Sequence, residues 1–280
     1  MEKLREEIQL GRRMKEKTLS AYMRNIEKLA KAITGDGFKS LAFLKEYKQI
    51  SDFLDDKSLS AQKLMLASIL VCLSPTGKWK YREDFKEVGK KYTNYLSTQS
   101  KAYDDTIKTQ RKSAKQEGQW VTKKELEKVM RKYASNIKRI GYTQKNTELK
   151  AGKERKHMEL IQKYIVASLY LLHEPKRNEY ANMTVIQNKQ YDGLSDTHKG
   201  SHNYLVVVSR NKKFFSFGDH KTQKTYGIDI IDVERKLNSV LNLWLQFNKS
   251  GYFLLNSRGE QLTTNGLTKF LHKTFAPTGK

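Results

Sequence analysis

The sequence predicts a mainly α-helical protein with one small antiparallel β-sheet, built as an all-α unit followed by an α+β unit. Three observations carry that prediction. Apolar residues recur three and four apart through much of the first hundred positions, the spacing of amphipathic helices. A polar, lysine-rich stretch, a linker or a frayed helical extension, then fills residues 97–118 with almost no large apolar side chain. Between residues 204 and 231 the pattern changes to short β-branched and aromatic runs separated by polar turns. At 280 residues the chain is long enough for two cores without disulfides. The expected boundaries are a helical unit at 1–100, a basic linker at 101–119 and a second unit at 120–280.

The first helix is expected over residues 18–33, where Leu19, Tyr22, Met23, Ile26, Leu29, Ala30 and Ile33 share a face and Gly35 stops the pattern. Phe38, Leu41, Phe43 and Leu44 lead into a short segment around Ile50, Phe53 and Leu54. A third helix runs from about Ser60 to Leu73 and ends at the Ser74-Pro75-Thr76-Gly77 turn, and residues 81–96 form a fourth. In the second unit, Thr122 with Glu125 three positions later forms a capping box for a helix carrying Leu126, Val129, Met130 and Tyr133. Residues 158–172 are the most apolar helix of that half and stop at His173-Glu174-Pro175. Strands are expected at 204–208, 214–217 and 226–231, then a helix from Val233 to Leu245, a short strand at 252–255 and a last helix carrying Leu267, Phe270 and Leu271.

Lys and Arg number 54 against 30 Asp and Glu, a net charge of +24. Such an excess fits a polyanion, above all nucleic acid. The longest apolar runs, 64–73 and 165–172, each broken by one serine, are far shorter than the ~20 residues of a membrane-spanning helix. The first seventeen residues mix Glu with Lys and Arg and carry no apolar segment, so neither a secretory signal nor a transit peptide is expected, and the protein is expected inside the cell with DNA. The one cysteine, Cys72, lies in the apolar run LASILVCL and is expected as a buried thiol. His198 and His202 stand four apart in a polar segment without further metal ligands nearby, so no metal site is expected. No GxxxxGK[ST] loop and no hydrolase signature occurs, and no cofactor is expected.

Three segments carry something more specific. LYLLHEPKRNEYANMTVI places Arg177 in a short turn after an apolar helix and before a strand, with Lys176 beside it as the competing register. FFSFGDHKTQKTYGIDI reads as a β-hairpin with Lys221 at its turn and Lys224 as the alternative. NSRGEQLTTNGLTKFLHKTF follows downstream. In this order the parts resemble the tyrosine recombinases of the phage-integrase superfamily, in the variants found in large DNA viruses and mobile elements. The resemblance spans the chain from about Thr18 onward. It implies a helical core-binding domain and an α+β catalytic domain closing around duplex DNA, with Arg177 as the first catalytic arginine and Lys221 as the hairpin lysine. It also implies strand breakage and rejoining through a phosphotyrosine intermediate, without a cofactor, by a tetramer on paired sites.

The family's His/Lys-x-x-Arg box, further His or Trp and nucleophilic tyrosine have no counterpart within residues 1–280, so this stretch alone is expected to be inactive. In that chemistry a fixed guanidinium donates paired hydrogen bonds to the non-bridging phosphate oxygens, and a lysine protonates the leaving 5′ oxygen. Lys112, Lys115, Arg131, Lys132, Lys138, Arg139 and Lys224 are the expected contacts to the DNA backbone. The alternatives are a non-catalytic DNA-binding regulator on the same fold and a type IB topoisomerase.

Overall fold

The computed structural model describes residues 1–78, 80–109, 111–112, 114–143 and 152–279, without the side chain of Lys115. Two compact units, Met1–Ser113 and Ala114–Lys280, each carry their own core.

The first unit is all helical. It comprises α1 (Glu2–Arg12), α2 (Glu16–Thr34), a 3-10 turn (Leu41–Lys45), α3 (Tyr47–Asp55), α4 (Leu59–Leu73), a second 3-10 turn (Glu83–Phe85) and α5 (Lys86–Lys108). Helix α2 buries Leu19, Met23, Ile26, Leu29 and Ala30, and Gly35 ends it in the left-handed region with its amide donating to the Lys31 carbonyl. Helix α4 starts at Ser58, whose hydroxyl accepts from the Ala61 amide, and buries its side chains almost all round. It is the central helix of the unit, packed between α2 and α5. Tyr92 of α5 is fully buried, and its hydroxyl donates to the Leu44 carbonyl at 2.9 Å. Cys72 is also fully buried; desolvation pushes its thiol up to about 12, so it is unreactive core.

Two features depart from the sequence reading. Helix α1 was not expected, because its polar content hides Leu4 and Ile8, a buried pair one turn apart. Helix α5 continues to Lys108, so residues 101–108 of the expected 101–119 linker are helical. Its distal half is tied back by Lys63, which sits 4.2 Å above the Tyr103 ring and 3.7 Å from Asp104. The second unit accordingly begins at Ala114 rather than at residue 120.

That unit opens with α6 (Ala114–Gln119), α7 (Lys123–Ile140) and α8 (Glu154–Leu172). Thr122 and Glu125 form the expected capping box at the start of α7. The chain then alternates through β1 (Thr184–Gln187), α9 (Asn188–Asp192), α10 (Asp196–Ser201), β2 (Asn203–Val207), β3 (Lys213–Phe217), α11 (Gln223–Tyr226) and β4 (Asp229–Asp232). Helices α12 (Arg235–Phe247) and α13 (Thr264–Phe275) and a 3-10 turn (Ala276–Thr278) follow. Ile161, Ile165, Val166 and Leu169 of α8 share one core with Leu205, Phe215 and Phe217 of the sheet and with Leu237, Leu241 and Trp244 of α12.

The sheet has the order β1-β2-β3-β4 and is mixed, not antiparallel as expected. Strands β2, β3 and β4 are antiparallel neighbours, with Leu205 opposite Phe215 and Phe215 opposite Ile231. Strand β1 runs parallel to β2, with Thr184 opposite Tyr204. The cause is residues 188–202, which form two short helices and return the chain to the same end of the sheet. The strand expected at 252–255 is reduced to isolated bridges, one from Thr184 to Tyr252 and one from Leu255 to Gln261. Among the described residues no helix is long and apolar enough to cross a membrane.

Candidate functional site

Residues 173–183, between α8 and β1, hold Arg177. Their backbone is anchored from below by aromatic side chains. Tyr180 is fully buried, with its ring centroid 5.6 Å from that of Phe215 and 5.8 Å from that of Phe217. Its hydroxyl lies 2.9 Å from Nδ1 of His173. Tyr170, on the last turn of α8, donates its hydroxyl to the Arg177 carbonyl at 2.8 Å. Burial raises both phenols well above the usual tyrosine range and lowers His173, so this layer is neutral at physiological pH. The Arg177 side chain itself is exposed.

Residues 218–228 connect β3 to β4 and hold Lys221. Gly218 starts the loop so close to the preceding segment that a Cβ there would lie 1.8 Å from the Lys199 carbonyl oxygen. Its amide donates to the His202 carbonyl at 3.0 Å. Nε2 of His220 lies 2.9 Å from the Gly227 carbonyl, which can only accept, so that nitrogen carries the proton and clips the loop across its base. Gly227 has φ 75° and ψ −154°, a conformation only glycine adopts readily, and it turns the chain into β4. The return strand therefore begins at Asp229, three residues later than expected, after the helical turn α11.

These two segments meet. Arg177 and Lys221 line one open cleft of about 410 Å³, together with Glu179, His220, Tyr226 and Asp229. Lys176 lines it too but is committed: its Nζ lies 2.7 Å from Asp229 Oδ2 and 5.1 Å from the centroid of the Phe217 ring. Among the described residues Arg177 forms no ion pair, and neither does Lys221. Lys224 sits on α11 and does not line the cleft. Oε2 of Glu179 is buried there without a hydrogen-bond partner among the described residues. Of the registers the sequence left open, the geometry brings together Arg177 and Lys221 and occupies Lys176 with another partner. Two uncommitted cations facing one cleft can seat a tetrahedral oxyanion, the guanidinium through two parallel donors and the ammonium as a point charge.

The other expected contacts lie elsewhere. Arg131, Lys132, Lys138 and Arg139 all stand on the exposed face of α7, opposite its buried Val129, Tyr133 and Ile137. Arg131 pairs with Glu127 at 3.1 Å. Arg139 joins Asn136, Lys156 and Lys163 around a groove between α7 and the first half of α8. Arg177 follows the other end of α8, so on helix rise alone the two cationic groups are roughly 25 Å apart. Lys112 is exposed between α5 and α6; Lys115 belongs to α6, but its side chain lies outside the described residues.

The rings of His198 and His202 stack at 5.8 Å, their Nδ1 atoms 3.1 and 2.9 Å from the hydroxyls of Ser195 and Ser201. The described residues hold no cluster of three or more metal-ligating side chains. His220 and Asp229 were missed by sequence reasoning, since each acts through a partner several residues or a whole segment away. Comparison of the chain with models of protein families, with curated proteins and with solved structures finds no match in any of the three.

Proposed function

We propose that this chain binds duplex DNA and that the cleft between residues 173–183 and the β3–β4 loop seats one phosphodiester for strand breakage and rejoining, as in tyrosine recombinases. In this reading Met1–Ser113 is the helical core-binding unit and Ala114–Lys280 carries the Arg177 and Lys221 part of the catalytic site. The observation that carries the reading is the convergence of Arg177 and Lys221, 44 positions apart, on one cleft while the adjacent Lys176 is engaged by Asp229. Arg177 would hold the non-bridging oxygens as negative charge builds on them, and Lys221 would protonate the leaving 5′ oxygen. The nucleophilic tyrosine is not assigned to any of these residues. The net charge of +24 supplies the sequence-independent attraction to the duplex.

The test is duplex binding as a function of salt, together with strand cleavage by the protein produced from its native gene. If about eight phosphates are contacted, log affinity falls against log salt with a slope of about −7. Arg177→Ala keeps binding within a few-fold and abolishes cleavage. Equal loss of binding and cleavage would contradict the catalytic role and leave a DNA-binding protein.

A further inference from the structure

Two contacts fasten the Arg177 segment to the base of the loop that carries Lys221, and neither uses Arg177 or Lys221. The first is Lys176. Its ammonium reaches both strands of the hairpin where the loop leaves them: the ring of Phe217, last residue of β3, and the carboxylate of Asp229, first residue of β4, which are also opposite each other in the sheet. The second is Asn203, at the start of β2 and only 6% exposed. Its Nδ2 donates to the Glu179 carbonyl at 3.0 Å and to the Asp219 carbonyl at 3.1 Å, while its Oδ1 accepts from the Asp219 amide at 2.9 Å. One side of the cleft is thus tied at Lys176 and Glu179, the residues flanking Arg177 and Asn178. The other is tied at Asp219, near the start of the loop with Lys221, and at Asp229, just past its end.

We propose that Lys176, Asp229 and Asn203 form a brace that sets the separation of Arg177 and Lys221, and so fits the cleft to a single phosphate group. This rests on the reading of the cleft as a phosphodiester site. Lys176 and Asp229 are positioning residues: their charges are spent on each other, so the brace adds no net charge to a site that must attract a polyanion. Its contribution is geometric. A bidentate guanidinium and an ammonium converge on one tetrahedral group only over a narrow range of separations.

The brace has a consequence opposite in sign to that of simple charge. Asp229→Asn removes a negative charge from the cleft and frees the Lys176 ammonium. If charge alone governed the site, the variant would bind duplex DNA more tightly, with a steeper salt dependence. The brace predicts weaker binding and a shallower slope, by about one phosphate's contribution of ~0.9, because Arg177 and Lys221 no longer share one group.

The experiment measures the salt dependence of duplex binding, by fluorescence anisotropy on a labelled duplex, for the whole chain and four variants: Asp229→Asn, Arg177→Ala, Lys221→Ala and the charge-swapped double variant Lys176→Asp with Asp229→Lys. The expected result is a shallower slope for all three single variants and restoration toward the parent value in the double swap, with thermal unfolding confirming that each is folded. A slope for Asp229→Asn that is unchanged or steeper overturns the brace, as does a folded double swap that fails to recover. If Arg177→Ala and Lys221→Ala leave the slope unchanged, the phosphodiester reading of the cleft is itself overturned. The two failures are therefore distinguishable.

Discussion

Lys213 shows how one residue can couple this fold to pH. It is 1% exposed, and its Nζ is surrounded by neutral oxygens: Asn238 Oδ1 at 2.7 Å, Asn242 Oδ1 at 2.6 Å and the Arg210 carbonyl at 2.9 Å. Burial, helped by the nearby Arg210 cation, lowers its pKa to about 8 from the ordinary 10.5. Between those two values the unfolded chain holds a proton that the folded chain has released, so raising the pH favours the folded state. Chemical denaturation should therefore show stability increasing from pH 8 to pH 10, within a ceiling on the order of 3 kcal/mol. Lys213→Met should remove that increase. Above pH 10 the trend reverses, because the buried phenols of Tyr92, Tyr170 and Tyr180 ionise only on unfolding. At this scale the sequence was only partly legible. Arg177 and Lys176 are adjacent, and what separates them is Asp229, 53 positions after Lys176. Lys213 looked like any other lysine, since its partners lie 25 and 29 residues downstream on α12.

At the scale of elements, the β3–β4 loop is held by backbone contacts that tolerate little change. Gly218→Ala would force its methyl group against the Lys199 carbonyl, and the backbone around it leaves no flexible side chain to yield. The substitution should cost about 1–3 kcal/mol or more in equilibrium unfolding and should weaken duplex binding by displacing Lys221. Ala at Gly118, where no atom crowds the added carbon, should leave stability within about 0.5 kcal/mol and serves as the comparison. Helices α2, α4, α7 and α8 were legible because each carries a full apolar face, a cap or a stop signal. The direction of β1 was not. It depends on α9 and α10, of five and six residues, too short for helical periodicity to register.

At the scale of the whole molecule, each unit buries its own apolar cluster: Ile26, Leu44, Ile69 and Tyr92 in the first, Ile165, Leu205, Phe215 and Trp244 in the second. The first unit, expressed alone as residues 1–113, should unfold cooperatively by thermal circular dichroism; a gradual loss of helix would show that it depends on the second. Both units draw on the same surplus of Lys and Arg, legible from composition alone. Where that charge converges on a site was not, because convergence is a property of the folded chain.

The most direct test of the proposal that the cleft seats a phosphodiester is chemical rescue of the Lys221→Ala variant, in the protein produced from its native gene. A duplex carrying a 5′-phosphorothiolate at the cleaved position has a sulfur leaving group that needs no proton. The account predicts that Lys221→Ala cleaves the ordinary duplex ~10²–10⁴-fold more slowly, and the phosphorothiolate at near the parent rate. Arg177→Ala, which loses the contacts to the non-bridging oxygens, should not be rescued by the sulfur substrate. Cleavage by Lys221→Ala at the parent rate on the ordinary duplex, or failure of the sulfur substrate to restore it, would contradict the assignment.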